Sequence, residues 1–193
     1  MAKAKPITGL DPQAPIGKNA RIIAKVRLEE LYSWDAYVDN PYYIQELHNL
    51  RIAAKRLRYT LEVFEDVLPE ACKPLVKELE QIQEELGALH DSDVMIALLR
   101  LCLGGQDSAT ISEQFHSDVK MQREKGKSLV APELVAVVLG PAVAPSAGER
   151  YGLEQFLRRQ EQLREKQYTA FRQHWYTLQA RDFRREILDI LDT

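Results

Sequence analysis

Between Tyr42 and Leu68 the chain reads YYIQELHNLRIAAKRLRYTLEVFEDVL. Five side chains in this stretch are cationic or can become so, and four of them, His48, Arg51, Lys55 and Arg58, follow one another at steps of three and four. Glu62 continues the same three-four rhythm. These residue types suit oxyanions, because Arg forks onto two oxygens, Lys offers a point charge, and His takes up a proton near neutral pH. On a helix turning about 100° per residue the series falls on one flank. Leu47, Leu50, Ala54, Leu57, Leu61, Phe64 and Leu68 form an apolar seam beside it. A cationic row on the shoulder of a buried seam looks into a groove between helices. The plainer alternative is a solvated charged face, the usual place for Lys and Arg on a helix. Against it, Glu62 is the sole acid of the row, and the whole protein carries a net charge of −3, so a local basic block is not a by-product of composition.

With 193 residues, 45% hydrophobic and 28% charged, the chain is one globular domain, or one domain with a tail, and can bury a full core. The negative net charge argues against a general nucleic-acid coat, and few aromatics interleave with the basic row, which argues against stacking on single strands. Cys72 and Cys102 form no disulfide framework and lack metal spacing, so reduced thiols in a cytoplasmic protein are expected. No signal peptide or membrane span is read: the N-terminus has no apolar run, and Gly140 and Pro141 break the patch from Leu134 to Val143.

The row must be held by helices. Residues 1–16, rich in Pro, Gly and Ala, read as a disordered N-terminal segment, and 17–193 as the domain. The pattern predicts a first helix over Lys18–Tyr37, with Lys18, Arg21 and Lys25 in line on it. Asn40 before Pro41 marks the next turn, with Pro41 in the first turn of a second helix that ends near Pro69. Pro74 opens a third, with Leu75, Leu79, Ile82, Leu86 and Leu89 as its seam. Gly87 interrupts this helix, which is either one bent helix or two, the second capped by Asp91 or Ser92. A helix is expected over Ile111–Leu129, carrying Lys120, Arg123 and Lys127 on a solvated face. A short apolar helix over Pro132–Leu139 and a linker over 140–149 follow. A long helix over Gly152–Gln179 turns Phe156, Leu157, Tyr168, Phe171, Trp175 and Leu178 inward. Arg164 on that side either faces a channel or sits in a buried ion pair. Phe183, Ile187, Leu188 and Leu191 mark a last helix. No strand-like alternation occurs. The fold class is all-α, an antiparallel helical bundle of long helices with a basic groove or channel.

The run His48-x-x-Arg51-Ile-x-x-Lys55-Arg56-Leu57-Arg58-Tyr59-x-x-Glu62, followed by Leu86-Gly87-x-x-x-Asp91-x-Asp93-Val94, resembles the signature of the CHAD family, the conserved histidine α-helical domain. The resemblance is specific over Tyr42 to Leu99. It implies antiparallel four-helix bundles and a basic channel that binds inorganic polyphosphate, with no catalytic activity, cofactor or metal. Some members of that family accumulate on polyphosphate granules, and some are fused to triphosphate-processing domains, so polyphosphate-metabolising enzymes are further expected partners. Typical members carry two related bundles, each with its own His/Arg helix. Here the motif occurs once, so either the second half is degenerate or a second copy of the chain, in a homodimer, supplies it.

On this reading the polyphosphate-binding residues are Lys18, Arg21, Lys25, His48, Arg51, Lys55, Arg58 and Arg164. Arg51 and Arg58 would fork onto non-bridging oxygens, with Lys55 between them and Arg21 and Lys25 across the groove. Tyr59 is expected to pack with its hydroxyl bonded, and Glu62 to hold Arg58 at i, i+4. Arg56 reads as a surface or second-site cation, and His116 and His174 as surface or packing residues. Two other classes stay open. A metal-dependent phosphohydrolase would use His90 and Asp91, an HD dipeptide that needs further His and Asp ligands to close a site. A structural interaction module would show no preference among polyanions.

Overall fold

The computed structural model describes residues 4–104 and 145–193. Among them are five α-helices and no strand: α1 (Ile16–Tyr32), α2 (Ile44–Val63), α3 (Cys72–Gly104), α4 (Ala147–Ala180) and α5 (Phe183–Asp192), with a 3₁₀ turn at Asp35–Tyr37. The helices expected over Ile111–Leu129 and Pro132–Leu139, with Lys120, Arg123, Lys127 and His116, lie outside the described residues. The chain divides into two compact units, one of Met1–His90 with Gln167–Thr193 and one of Asp91–Lys166. No described helix is long and apolar enough to cross a membrane.

Pro15 precedes the first turn of α1, where its fixed φ of −53° costs nothing. The segment before it is tied down: Lys5 reaches Glu29, and Asn19 hydrogen-bonds Asp11 in both directions. The helix stops at Tyr32, earlier than the pattern predicts, because Ser33 turns its hydroxyl onto the Glu30 carbonyl at 2.6 Å. Pro41 likewise stands outside α2. Asn40 accepts the Tyr42 amide on its side chain and the Tyr43 amide on its carbonyl, so Pro41 occupies the second position of a four-residue turn. Helix α2 ends at Val63, and turns at Phe64–Leu68 carry the last seam residues to the core. Helix α3 is one continuous helix through Gly87, so Ser92 and Asp93 are buried helical residues rather than caps. Helix α4 begins within the expected linker. Ser146 and Glu149 form a capping box, the Glu149 carboxylate accepting the Ser146 amide at 2.8 Å and its hydroxyl at 2.7 Å. Those bonds hold the Glu149 carboxyl below its ordinary range.

In the first unit the seams close on one core. Ala20, Ala24, Leu28 and Leu31 of α1 meet Leu47, Leu50, Leu57 and Leu61 of α2, with Leu75, Leu79, Ile82 and Leu86 of α3 and Phe171, Trp175 and Leu178 of α4. Helix α5 adds Phe183, Ile187 and Leu191. Phe156, expected on this side of α4, is instead exposed. Named contacts give antiparallel neighbours: Gly17 lies against Val67 and Glu30 pairs with Arg56, while Arg58 reaches Gln83 and His48 meets His90. The polar ends of buried rings are satisfied, the Tyr168 hydroxyl on the Val38 carbonyl at 2.8 Å and the Trp175 indole on Asp35 at 2.7 Å.

Glu30 is the buried charge of this unit, 5% exposed. It takes Arg27 at 2.7 Å and also Arg56. Arg56 is therefore a structural cation joining α2 to α1, not a surface or second-site one. Removing the shared carboxylate strands two guanidiniums that are mostly withdrawn from water. Glu30→Ala is expected to cost about 2–4 kcal/mol in urea unfolding; a loss under about 0.5 kcal/mol would show that the pair is solvated and idle.

Candidate functional site

The antiparallel register of α2 and α3 stacks two rungs. In the first, the His48 and His90 rings lie 4.3 Å apart between centroids, tilted by 41°. In the second, one helical turn on, the Arg51 guanidinium lies against Gly87: a Cβ placed there would sit 3.4 Å from Nε, 3.8 Å from Nη2 and 4.0 Å from Cζ. The spacing repeats on both helices, His48 to Arg51 and Gly87 to His90, because i and i+3 share a face.

These groups are unusual in what they leave open. Arg51 Nε and His90 Nδ1 are both buried and have no hydrogen-bond partner. No described carboxylate ion-pairs with Arg51. Buried polar atoms are nearly always satisfied, so two orphans on facing helices need an explanation, and a functional role is one of the standard ones. Lys55 continues the row half-buried, its ammonium 5.4 Å from the centre of the Tyr59 ring.

Arg58 behaves differently. It pairs with Glu62 at 2.7 Å and Glu80 at 3.6 Å, and its Nε donates to Gln83 at 3.2 Å. Its charge is met by two carboxylates, and its guanidinium covers Tyr59 at 4.7 Å. Tyr59 itself is 44% exposed rather than packed inside, its ring lying along the two cations of its own helix.

The cations of α1 stand elsewhere. Gly17 against Val67 fixes the start of α1 at the far end of α2, which puts Arg21 about 20 Å along the axis from His48. Arg21 Nε is also buried without a partner. Its charge acts on Cys72, whose thiol is pushed up by burial against that effect. Lys25 is paired with Asp192 of α5, and Lys18 is exposed. They do not share a rung with His48 and Arg51. Arg164, in the second unit, ion-pairs with buried Asp93, the second of its two expected arrangements.

Two histidines have neighbours that the sequence did not reveal. His90 lies against His48, while its neighbour Asp91 is exposed. His174 lies between two carboxylates of α3, with Nδ1 at 2.8 Å from Glu85 and Nε2 at 3.3 Å from Glu78, and Arg181 supports Glu78 at 2.9 Å. Among the described residues no three His, Cys, Asp or Glu side chains are grouped to hold a metal ion.

An all-helical chain with basic side chains lining one interhelical flank is the class defined so far. The sequence model of the CHAD domain matches residues 10–100, just under half of the chain, which supports the CHAD family over these residues. Both rungs fall inside the matched stretch. No curated protein and no solved structure matches the chain.

An orphaned, unneutralised guanidinium contributes little to the fold. Arg51→Gln is expected to leave the unfolding free energy within about 1 kcal/mol of the native chain, or to raise it. A larger loss in urea titration would make Arg51 a strut of the α2–α3 contact instead of a site residue.

Proposed function

We propose that this chain is a non-catalytic module that binds inorganic polyphosphate in a basic groove between α2 and α3, with His48, Arg51 and Lys55 on one wall and His90 on the other. The observation that carries the reading is the pair of buried, unpartnered nitrogens on Arg51 and His90, beside His48. The match to the CHAD family over residues 10–100 supports the same ligand.

The spacing favours a chain of charges over a single anion. From His48 to Lys55 the row extends about 10 Å along the helix. One phosphate can satisfy one rung, whereas a linked series can meet both rungs and Lys55 together. Each contact replaces condensed counterions, so much of the affinity arises from their release and falls as salt rises. Arg58 bounds the row: with Glu62 and Glu80 on it, it contributes less attraction than Arg51. Recruitment to polyphosphate granules, and association with enzymes of polyphosphate metabolism, would follow from such binding.

The test is a titration with long-chain polyphosphate at two salt concentrations, with orthophosphate, ATP and single-stranded DNA as competitors. Salt-sensitive binding is expected that long polyphosphate alone displaces efficiently. The double variant Arg51→Gln, Lys55→Gln should weaken it by roughly tenfold or more while leaving helicity unchanged. Equal competition by every polyanion, or native affinity in the double variant, would return the row to a solvated face and leave a structural interaction module as the better reading.

A further inference from the structure

We infer that Gly87 is a positioning residue, a slot in α3 that sets the Arg51 guanidinium for its ligand; the inference rests on the polyphosphate reading and adds to it how the key arginine is held. Two arginines lie on the same flank of α2, seven residues apart. Arg58 is oriented by hydrogen bonds to Gln83 and Glu62 and by the nearby Glu80. Arg51 has no carboxylate of this kind among the described residues, and its Nε has no partner. What it has is an edge contact. Nε at 3.4 Å and Nη2 at 3.8 Å lie nearer than Cζ at 4.0 Å to the point where a Gly87 side chain would begin, so the Nε–Nη2 edge of the guanidinium faces the glycine.

Shape fixes the group here where hydrogen bonds fix Arg58. The difference matters for binding. A carboxylate that oriented Arg51 would also neutralise it, and a ligand would have to displace that carboxylate. A slot orients the group through its Nε–Nη2 edge and leaves its charge and its outward Nη1 donors to the ligand, which reduces the ordering cost of binding. The glycine is otherwise a liability in the middle of a 33-residue helix, because its backbone loses more freedom on folding than that of any other residue. Nothing about its backbone requires glycine, since only Gly9 among the described glycines has a positive φ. The use of Gly87 is the room it leaves.

Size at position 87 is therefore the variable to test. In Gly87→Ala the new methyl meets Arg51 Nε at 3.4 Å, an ordinary contact, so polyphosphate affinity should stay within about twofold while the thermal midpoint rises. In Gly87→Leu the added atoms occupy the guanidinium's place. Affinity should fall by roughly tenfold, to the level of Arg51→Gln, with helicity retained. The double variant Gly87→Leu, Arg51→Gln should bind no more weakly than Arg51→Gln alone. A readout free of ligand accompanies these: the Arg51 Nε–H resonance in ¹⁵N NMR should be protected from exchange in the native chain and in Gly87→Ala, and lose that protection in Gly87→Leu. Native affinity and a protected resonance in Gly87→Leu would overturn the slot, as would losses that multiply in the double variant. Failure of the native chain to bind polyphosphate would instead overturn the functional reading, with the NMR comparison still deciding how Arg51 is held.

Discussion

When Leu47, Leu50, Leu57 and Leu61 are driven into the core, each to 3% exposure or less, helix geometry leaves no choice about the residues that follow them. His48, Arg51, Arg58 and Glu62 each come one position later, and Lys55 follows the buried Ala54. All are carried about 100° round the axis onto a single flank. Burial of the seam is thus the force that aligns the cations, although no cation takes part in it. The flank then meets α3, and the antiparallel register decides which cation faces what. One register puts His48 on His90, Arg51 on Gly87 and Arg58 on Gln83. A slip of one turn, about 5.4 Å, would part all three.

Most of the basic residues turn out to be engaged in the fold. Glu30 holds Arg27 and Arg56, Asp192 holds Lys25, Asp93 holds Arg164, and Glu62 with Glu80 holds Arg58. Charge that is paired in this way positions helices, and an incoming anion must compete with a carboxylate for it. Arg51 and His90 are treated otherwise. Leaving Arg51 Nε and His90 Nδ1 buried without a partner sacrifices stability, since an unsatisfied buried polar group costs about 1–3 kcal/mol. Local disagreement with the rules of good packing is the usual physical mark of a site.

The helical class, the α2 seam and its cationic flank were legible in the sequence because each depends only on a 3.6-residue period. So was the family resemblance, from the residues at fixed spacing in α2 and α3. Partner choice was not legible. Nothing in the spacing of Arg51 and Arg58 says that one meets glycine and the other meets acids, because that depends on the register of a second helix. In the sequence His90 stands out only as half of an HD dipeptide with Asp91; that His90 lies against His48 while Asp91 is exposed depends on the register of α2 and α3. The four-residue turn at Asn40–Tyr43 displaced Pro41 from the helix that its ring would suit, since the Asn40 side chain offered a competing hydrogen bond. The start of α4 was readable and missed: Ser146 and Glu149 stand at capping-box spacing inside a stretch whose Gly and Pro content suggested a linker.

The proposed function raises the question of how a chain of net charge −3 would present a site to a polyanion. Helix α3 answers it by dividing its faces. Toward α4 it turns Glu78 and Glu85, which are met there by His174 and Arg181. Toward the first half of α2 it turns Gly87 and His90, neither of which adds a negative charge. Two acids of α3 are thus placed where the protein itself supplies their partners. At a Debye length of about 8 Å, a ligand bound as proposed would interact with this near field far more than with the protein's distant charges. The overall negative charge would then slow the approach of a polyanion more than it would weaken the bound state, and discrimination would fall to the few groups at the two rungs.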